Sequence, residues 1–181
     1  MKIVVMGAPG SGKDTEAKLI SKYLKLKIDS IGDYLRKEYN KKSVLGIKTY
    51  KYWSSGELCP DNLIISIAKK NLSEKNYLLS GFPRTLKQAK FLSQYSKPQI
   101  VFYLHVPNKT LIQRLKKRAK IENRIDDSLI IIKERLKIYK EFTFPVINFY
   151  KKKGLLVNIN ANRGINIIFK DIKVYLDKFK K

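Results

Sequence analysis

Short β-branched runs alternate along the chain with longer stretches whose apolar positions recur at helical spacing. Five runs read as strands: Lys2 to Met6, Leu26 to Ile31, Tyr77 to Ser80, Ile100 to Val106 and Leu155 to Ile159. Most are continuously apolar, as expected of strands covered by helices on both faces. Between them, Ala17, Ile20 and Leu24 share one face of a first helix whose Lys18, Lys22 and Lys25 face water. The same spacing recurs at Ile64, Ile67 and Ala68, at Leu111 and Leu115, and at Ile132 and Leu136. With right-handed crossovers, this alternation predicts one three-layer α/β domain around a five-stranded parallel sheet. Tyr39 to Leu72 is long enough for a helical flap between the second and third strands, whereas the polar stretch from Lys116 to Asn123 leaves room only for a small one. No repeat or linker interrupts the pattern, and 181 residues suit a single domain.

Composition narrows the function classes. Hydrophobic residues make up 44% of the chain, which excludes wholesale disorder. No apolar run reaches the length of a membrane span, and the stretch from Met1 to Met6 meets Gly7 before a secretory segment forms, so a cytoplasmic protein without a membrane partner is expected. A single cysteine, Cys59, allows neither an internal disulfide nor a Cys-rich structural zinc site. The 39 Lys and Arg against 15 Asp and Glu leave a net charge of +24, a field that attracts polyanions. The lysines are scattered, with only short clusters such as Lys151-Lys152-Lys153, and read as solvated faces; nucleic acid is expected to bind through non-specific attraction alone.

The strongest local signal follows the first strand: Gly7-Ala8-Pro9-Gly10-Ser11-Gly12-Lys13-Asp14-Thr15, leading into a helix. Glycines let backbone N–H groups turn around phosphate oxygens, the helix N-terminus adds its positive end, and Lys13 reaches the β- and γ-phosphates. Gly10, Ser11, Gly12, Lys13, Asp14 and Thr15 are therefore the expected triphosphate cradle. The general fingerprint wants Ser or Thr after the lysine; here Asp14 stands there and the hydroxyl comes one place later.

Together with Gly32-Asp33-Tyr34-Leu35-Arg36, Gly56-Glu57-Leu58-Cys59-Pro60-Asp61, Gly81-Phe82-Pro83-Arg84-Thr85 and Arg124-Ile125-Asp126-Asp127, this loop resembles the adenylate kinase family of nucleoside monophosphate kinases, in order and spacing and almost end to end. The resemblance implies a P-loop α/β fold with a monophosphate-binding flap at about 30–59 and a short LID at about 118–127. It implies a monomer that uses Mg²⁺ with ATP to phosphorylate AMP reversibly, giving two ADP. UMP or CMP as acceptor is the nearest alternative, and a nucleic-acid-binding P-loop NTPase a more distant one. Carried across, Arg36 and Arg84 take the acceptor phosphate and Gln88 reads the acceptor base, within a pocket walled by Ile31, Glu57, Leu58, Cys59, Gly81, Phe82 and Pro83. Arg114 stacks on the ATP base and the main chain at Arg163 touches its edge. Lys13, Arg84, Arg118, Arg124 and Arg135 converge on the transferring phosphoryl group, Arg124 and Arg135 also bordering the AMP site, while Asp126 and Asp127 support the LID. Guanidinium forks match phosphate oxygens, and an amide offers a donor and an acceptor to a purine edge. From the residues alone, Arg135 also reads as an exposed helix charge, Asp126 and Asp127 as helix N-caps, and Tyr34 as a candidate for the acceptor rim.

Three positions depart from the family pattern. Ser80 precedes Gly81 where relatives usually carry a magnesium-orienting Asp, Asp14 replaces a Gly, and Ile31 replaces a base-contacting Thr. No direct protein ligand to the metal is expected. Asp14 either takes over the metal's outer shell through water or turns outward to stabilise its helix through the dipole.

Overall fold

The computed structural model describes residues 1–72, 75–122 and 128–179. Five parallel strands form one sheet in the order β2-β3-β1-β4-β5, with β1 Lys2–Gly7, β2 Ile28–Ser30, β3 Tyr77–Ser80, β4 Ile100–His105 and β5 Leu156–Asn160. The expected α/β architecture is therefore present. β1 lies between β3 and β4, with Val5 opposite Ser80 and Gly7 opposite Leu104. Its two neighbours come from opposite directions of chain winding, so a crevice opens beyond the carboxyl ends of these strands, where an open α/β sheet binds its ligands.

Alternation along the strands divides the core into two layers. Val4, Met6, Leu79 and Tyr103 pack on one face with Ile64, Leu92, Val146 and Tyr150, from α4 Asp61–Asn71, α5 Leu86–Tyr95 and α8 Phe144–Lys152. Ile3, Val5, Leu78 and Phe102 pack on the other with Ala17, Ile20, Ile168 and Ile172, from α1 Lys13–Leu24 and α9 Ile165–Asp177.

The second strand is shorter than the apolar run implies. Leu26 N–H donates to Ser21 O at 3.2 Å to close α1, and the Ser30 hydroxyl accepts from Asp33 N–H at 3.2 Å, so Ile31 opens α2 Ile31–Asn40 instead of ending β2. Between residues 39 and 72 the chain is mostly helical, through the end of α2, α3 Val44–Ser55 and α4. Gly46 lets α3 lie on α2: a Cβ there would sit 2.3 Å from Glu38 C and Tyr39 N. Tyr39 stacks on Tyr50 at 4.3 Å, and Trp53 meets both rings edge-on. From Lys116 to Glu122 the polar stretch does not leave the helix but forms the end of α6 Asn108–Glu122. Residues 118–122 of the expected LID are thus its last turn, and 123–127 lie outside the described residues. α7 Leu129–Ile138 follows, capped by Ser128, and a π-helical turn, Tyr139–Thr143, joins it to α8.

Candidate active site

Beyond β1 the backbone turns through Gly10 and Gly12 at φ +83° and +91°, a region that L side chains rarely adopt. Gly10 is also pressed on α6, since a Cβ would lie 2.9 Å from Leu115 Cγ and 3.0 Å from Leu111 O. α1 starts at Lys13 without a side-chain cap, leaving the N–H groups of its first turn, Lys13, Asp14 and Thr15 among them, suited to an anion. The Lys13 side chain is only 13% exposed. Burial lowers its pKa, Arg84, Arg135 and Arg118 push the same way, and the Asp14 carboxylate opposes them. Four cationic groups therefore share one field, and a polyphosphate entering it relieves their mutual repulsion.

Asp14 does not stand alone in the first turn. The Ser80 hydroxyl donates to Asp14 Oδ1 at 2.6 Å, and Lys13 Nζ lies 3.5 Å from Oδ2. Lys13 and the Ser80 hydrogen bond hold the carboxyl well below the usual carboxylate range although burial resists, so it is ionised at neutral pH. The helix thus puts a half-exposed carboxylate against the end of β3 beside the lysine. A purely outward-turned Asp14 is not what the hydrogen bond describes.

Two contiguous chambers open from this point, with roughly 540 and 640 Å³ of space continuous with solvent. The first is bounded by β1, Pro9, Lys13 and the α7–α8 junction; the second by Ile31, Arg36, Trp53, Glu57, Leu58, Cys59 and Gln88. Gly56, Leu58, Gly81, Arg84 and Arg135 belong to both walls. Phe82 is packed in the core, the Phe82–Pro83 peptide is cis, and Pro83 lines the first chamber, not the second.

Arg84 is held at three points. Its Nε donates to Gly81 O at 2.9 Å, its backbone N–H to Gln88 Oε1 at 2.8 Å, and its carbonyl accepts from Thr143 Oγ1 at 2.9 Å. Arg36 lines the second chamber with its guanidinium paired to Asp33. Gln88, 2% exposed, donates from Nε2 to Asp61 Oδ1 at 2.7 Å, and the same oxygen accepts from Thr85 Oγ1 at 2.9 Å. Cys59 is buried and its thiol is pushed up to about 11, so it stays protonated and behaves as a small apolar group.

At the other end of the loop, Arg114 Nη2 donates to Ala161 O at 3.0 Å and Nη1 reaches Ser11 O at 3.4 Å, bridging the turns after β1 and β5. The Arg163 guanidinium is turned away, bonded to Asn160 O and paired with Asp171. Tyr34 lines a separate groove beside β2 with Lys27 and Asp29, not the acceptor chamber. Arg124, Asp126 and Asp127 lie outside the described residues.

Asp61 and Thr143 are connections that pattern reasoning did not supply. Thr85-Leu86-Lys87-Gln88 has the capping-box spacing that flags Thr85 and Gln88 as partners. Nothing local points from Asp61 to Gln88, and a π turn, which sets Thr143 beneath Arg84, has no sequence signature.

The family model described as "Adenylate kinase" matches residues 5–155. The chain is 41% identical to the adenylate kinase of Azobacteroides pseudotrichonymphae, over 98% of this chain and 97% of that protein. It is 40% identical to the adenylate kinase of Prochlorococcus marinus over 94% and 96% of the two chains. It is 34% identical to that of Methanosarcina mazei over 99% and 100%. The last alignment spans 214 positions, so that relative carries an insertion absent from these 181 residues.

Proposed function

The chain belongs to the adenylate kinase family and has the phosphotransferase activity of a nucleoside monophosphate kinase; from this premise we propose that the P-loop and first chamber take ATP, the second chamber takes AMP, and phosphoryl transfer between them yields two ADP reversibly. The observation that carries the assignment of substrates to chambers is their common wall. Two pockets share Arg84 and Arg135, so two anions can be brought end to end while the same guanidinium groups neutralise both.

In this reading the first-turn N–H groups of α1 and Lys13 hold the β- and γ-phosphates. Arg36 leaves or shares its pairing with Asp33 to take the acceptor phosphate alongside Arg84, whose three anchors fix where its guanidinium points. An acceptor phosphate oxygen is already ionised and needs no general base. Arg118 and Arg135, which already lower the Lys13 pKa, face the charge that builds on the equatorial oxygens; Arg124 is proposed to join them when residues 118–127 close as a short LID over the flap at 30–59. Arg114, braced between the two turns, offers its face to the ATP base, and Arg163 contributes main chain only.

The donor set suits a hydrated Mg²⁺. No group of three His, Cys, Asp or Glu able to hold a metal occurs among the described residues, but one ionised carboxylate, Asp14, is presented at the lip of the phosphate cradle with its second partner in Ser80. When bound with ATP, the ion offsets phosphate charge. Asp14 would hold the hydrated ion through water, with Ser80 fixing the carboxylate's orientation.

No helix among the described residues is long and apolar enough to cross a membrane. We propose a cytoplasmic monomer, since a chain with a single cysteine, Cys59, needs no oxidising compartment to form internal disulfides. The test is a panel of nucleoside monophosphates at fixed Mg·ATP: AMP is turned over with the highest kcat/KM, and preference for UMP or CMP overturns the substrate assignment.

A further inference from the structure

The amide that faces the acceptor chamber is held at both ends. Gln88 Oε1 accepts from Arg84 N–H at 2.8 Å, and Nε2 donates to Asp61 Oδ1 at 2.7 Å. A backbone N–H cannot accept and a carboxylate has no hydrogen to give, so each partner admits only one end of the amide. Asp61 is itself fixed. It opens α4 just after Pro60, where the helix dipole favours a negative charge, and its Oδ1 also receives the Thr85 hydroxyl, which in turn caps Gln88 N–H at 3.2 Å. A turned-over amide would oppose its NH₂ to the Arg84 N–H and its oxygen to the carboxylate, losing two hydrogen bonds at a site 2% exposed.

One hydrogen on Nε2 and one lone pair on Oε1 remain for a ligand, in a fixed order. That order distinguishes purines. A 6-amino purine presents a donor at position 6 beside an acceptor at N1; a 6-oxo purine presents the reverse. An amide free to turn over would match both, whereas a locked one matches one of them.

We infer that Asp61 is a positioning residue that locks the polarity of the Gln88 amide and so sets the choice between 6-amino and 6-oxo purine monophosphates; this rests on the proposal that the second chamber takes AMP. Apolar Ile31, at 7% exposure on the same wall, adds no hydrogen-bonding side chain, which concentrates base selection on the amide.

Asp61→Ala, Asp61→Asn and Gln88→Ala are compared using AMP and IMP, which differ only at this base edge. In Asp61→Ala the KM for AMP rises about tenfold, the AMP-to-IMP ratio of kcat/KM falls by roughly 10- to 100-fold, and kcat at saturating AMP stays within about threefold. Asp61→Asn keeps an oxygen that accepts both bonds but adds an NH₂ that a turned-over Gln88 amide also fits, so its ratio falls between those of wild type and Asp61→Ala. Trp53, the single tryptophan, lines the same chamber, and its fluorescence reports AMP binding independently of turnover. Should Asp61→Ala not fold, Asp61→Ser, whose hydroxyl is too short to span to Gln88, takes its place. If Gln88→Ala lowers the ratio while the Asp61 variant keeps it, the inference is overturned and the acceptor assignment stands. If Gln88→Ala itself leaves both the ratio and AMP affinity intact, the base-reading role given to Gln88 fails, and the inference with it.

Discussion

Gly56 closes α3 at φ +86° and lies directly beneath Arg135, one of the two arginines common to both chambers. A Cβ there would be 2.8 Å from Arg135 Cγ and 3.0 Å from Ile131 Cγ2. In Gly56→Ala the Arg135 stem must recede by roughly 0.6 Å to reach ordinary contact at 3.4 Å, and β-branched Ile131 cannot yield in its place. A shift at Cγ grows along the side chain, so the guanidinium moves by about 1 Å, a displacement that costs on the order of 100-fold when it misplaces a catalytic group. The left-handed backbone adds ~1–2 kcal/mol of strain for alanine. Gly154 separates the two effects, because it has φ +67° with nothing within 4 Å of a built Cβ. Urea melts of Gly56→Ala and Gly154→Ala are expected to show comparable losses of ~1–2 kcal/mol. Steady-state turnover of ATP and AMP, measured where both variants are folded, is expected to fall about 10- to 100-fold in Gly56→Ala alone. Full turnover in Gly56→Ala, or equal losses in both variants, would refute the placement of Arg135 at the reacting phosphates.

In Asp14→Gly the Mg²⁺ concentration for half-maximal turnover is expected to rise about tenfold, the low end for a charged hydrogen-bonded group that is half exposed, and adding Ser80→Asp should restore it. An unchanged magnesium requirement removes the role given to Asp14. Glu16, 1% exposed, has an Oε2 without a partner among the described residues, and burial pushes its carboxyl up from 4.5 to about 7. The protonated form is favoured by folding, so this contribution is full below pH 4.5 and is lost as pH rises through about 7. Glu16→Gln should therefore gain up to ~3 kcal/mol over wild type at pH 8 and nothing at pH 4, read from denaturant melts; parallel pH profiles would count against it. Gly46→Ala drives a methyl to 2.3 Å from backbone atoms of α2 and is expected to cost about 3 kcal/mol, measured by thermal melting; a melt within about 0.5 kcal/mol of wild type would contradict the helix contact.

The sheet was legible because β1, β3 and β4 are almost wholly apolar runs, as at Ile3, Val4 and Val5, and the phosphate loop because glycine spacing, lysine and helix onset coincide. Boundaries depended on single side chains: Ser30 capped a helix and took Ile31 out of β2, which no periodicity announces. The second chamber's wall, including Arg36, Leu58, Cys59 and Gln88, followed from motifs and resemblance. Pattern could not show that Asp14 and Ser80 touch across 66 positions, or that Asp61 orients an amide 27 residues later, because such bonds arise only once the strands are in register.

The wall common to the two chambers makes the two proposed nucleotide sites dependent on each other. Whatever one nucleotide changes in the setting of Arg84 and Arg135 alters the other's dissociation constant by the same factor, whichever arrives first. Affinity measured for either alone is therefore only half of a linked cycle. Titrating each in the presence of an unreactive analogue of the other should return a single interaction free energy, equal in both orders of addition.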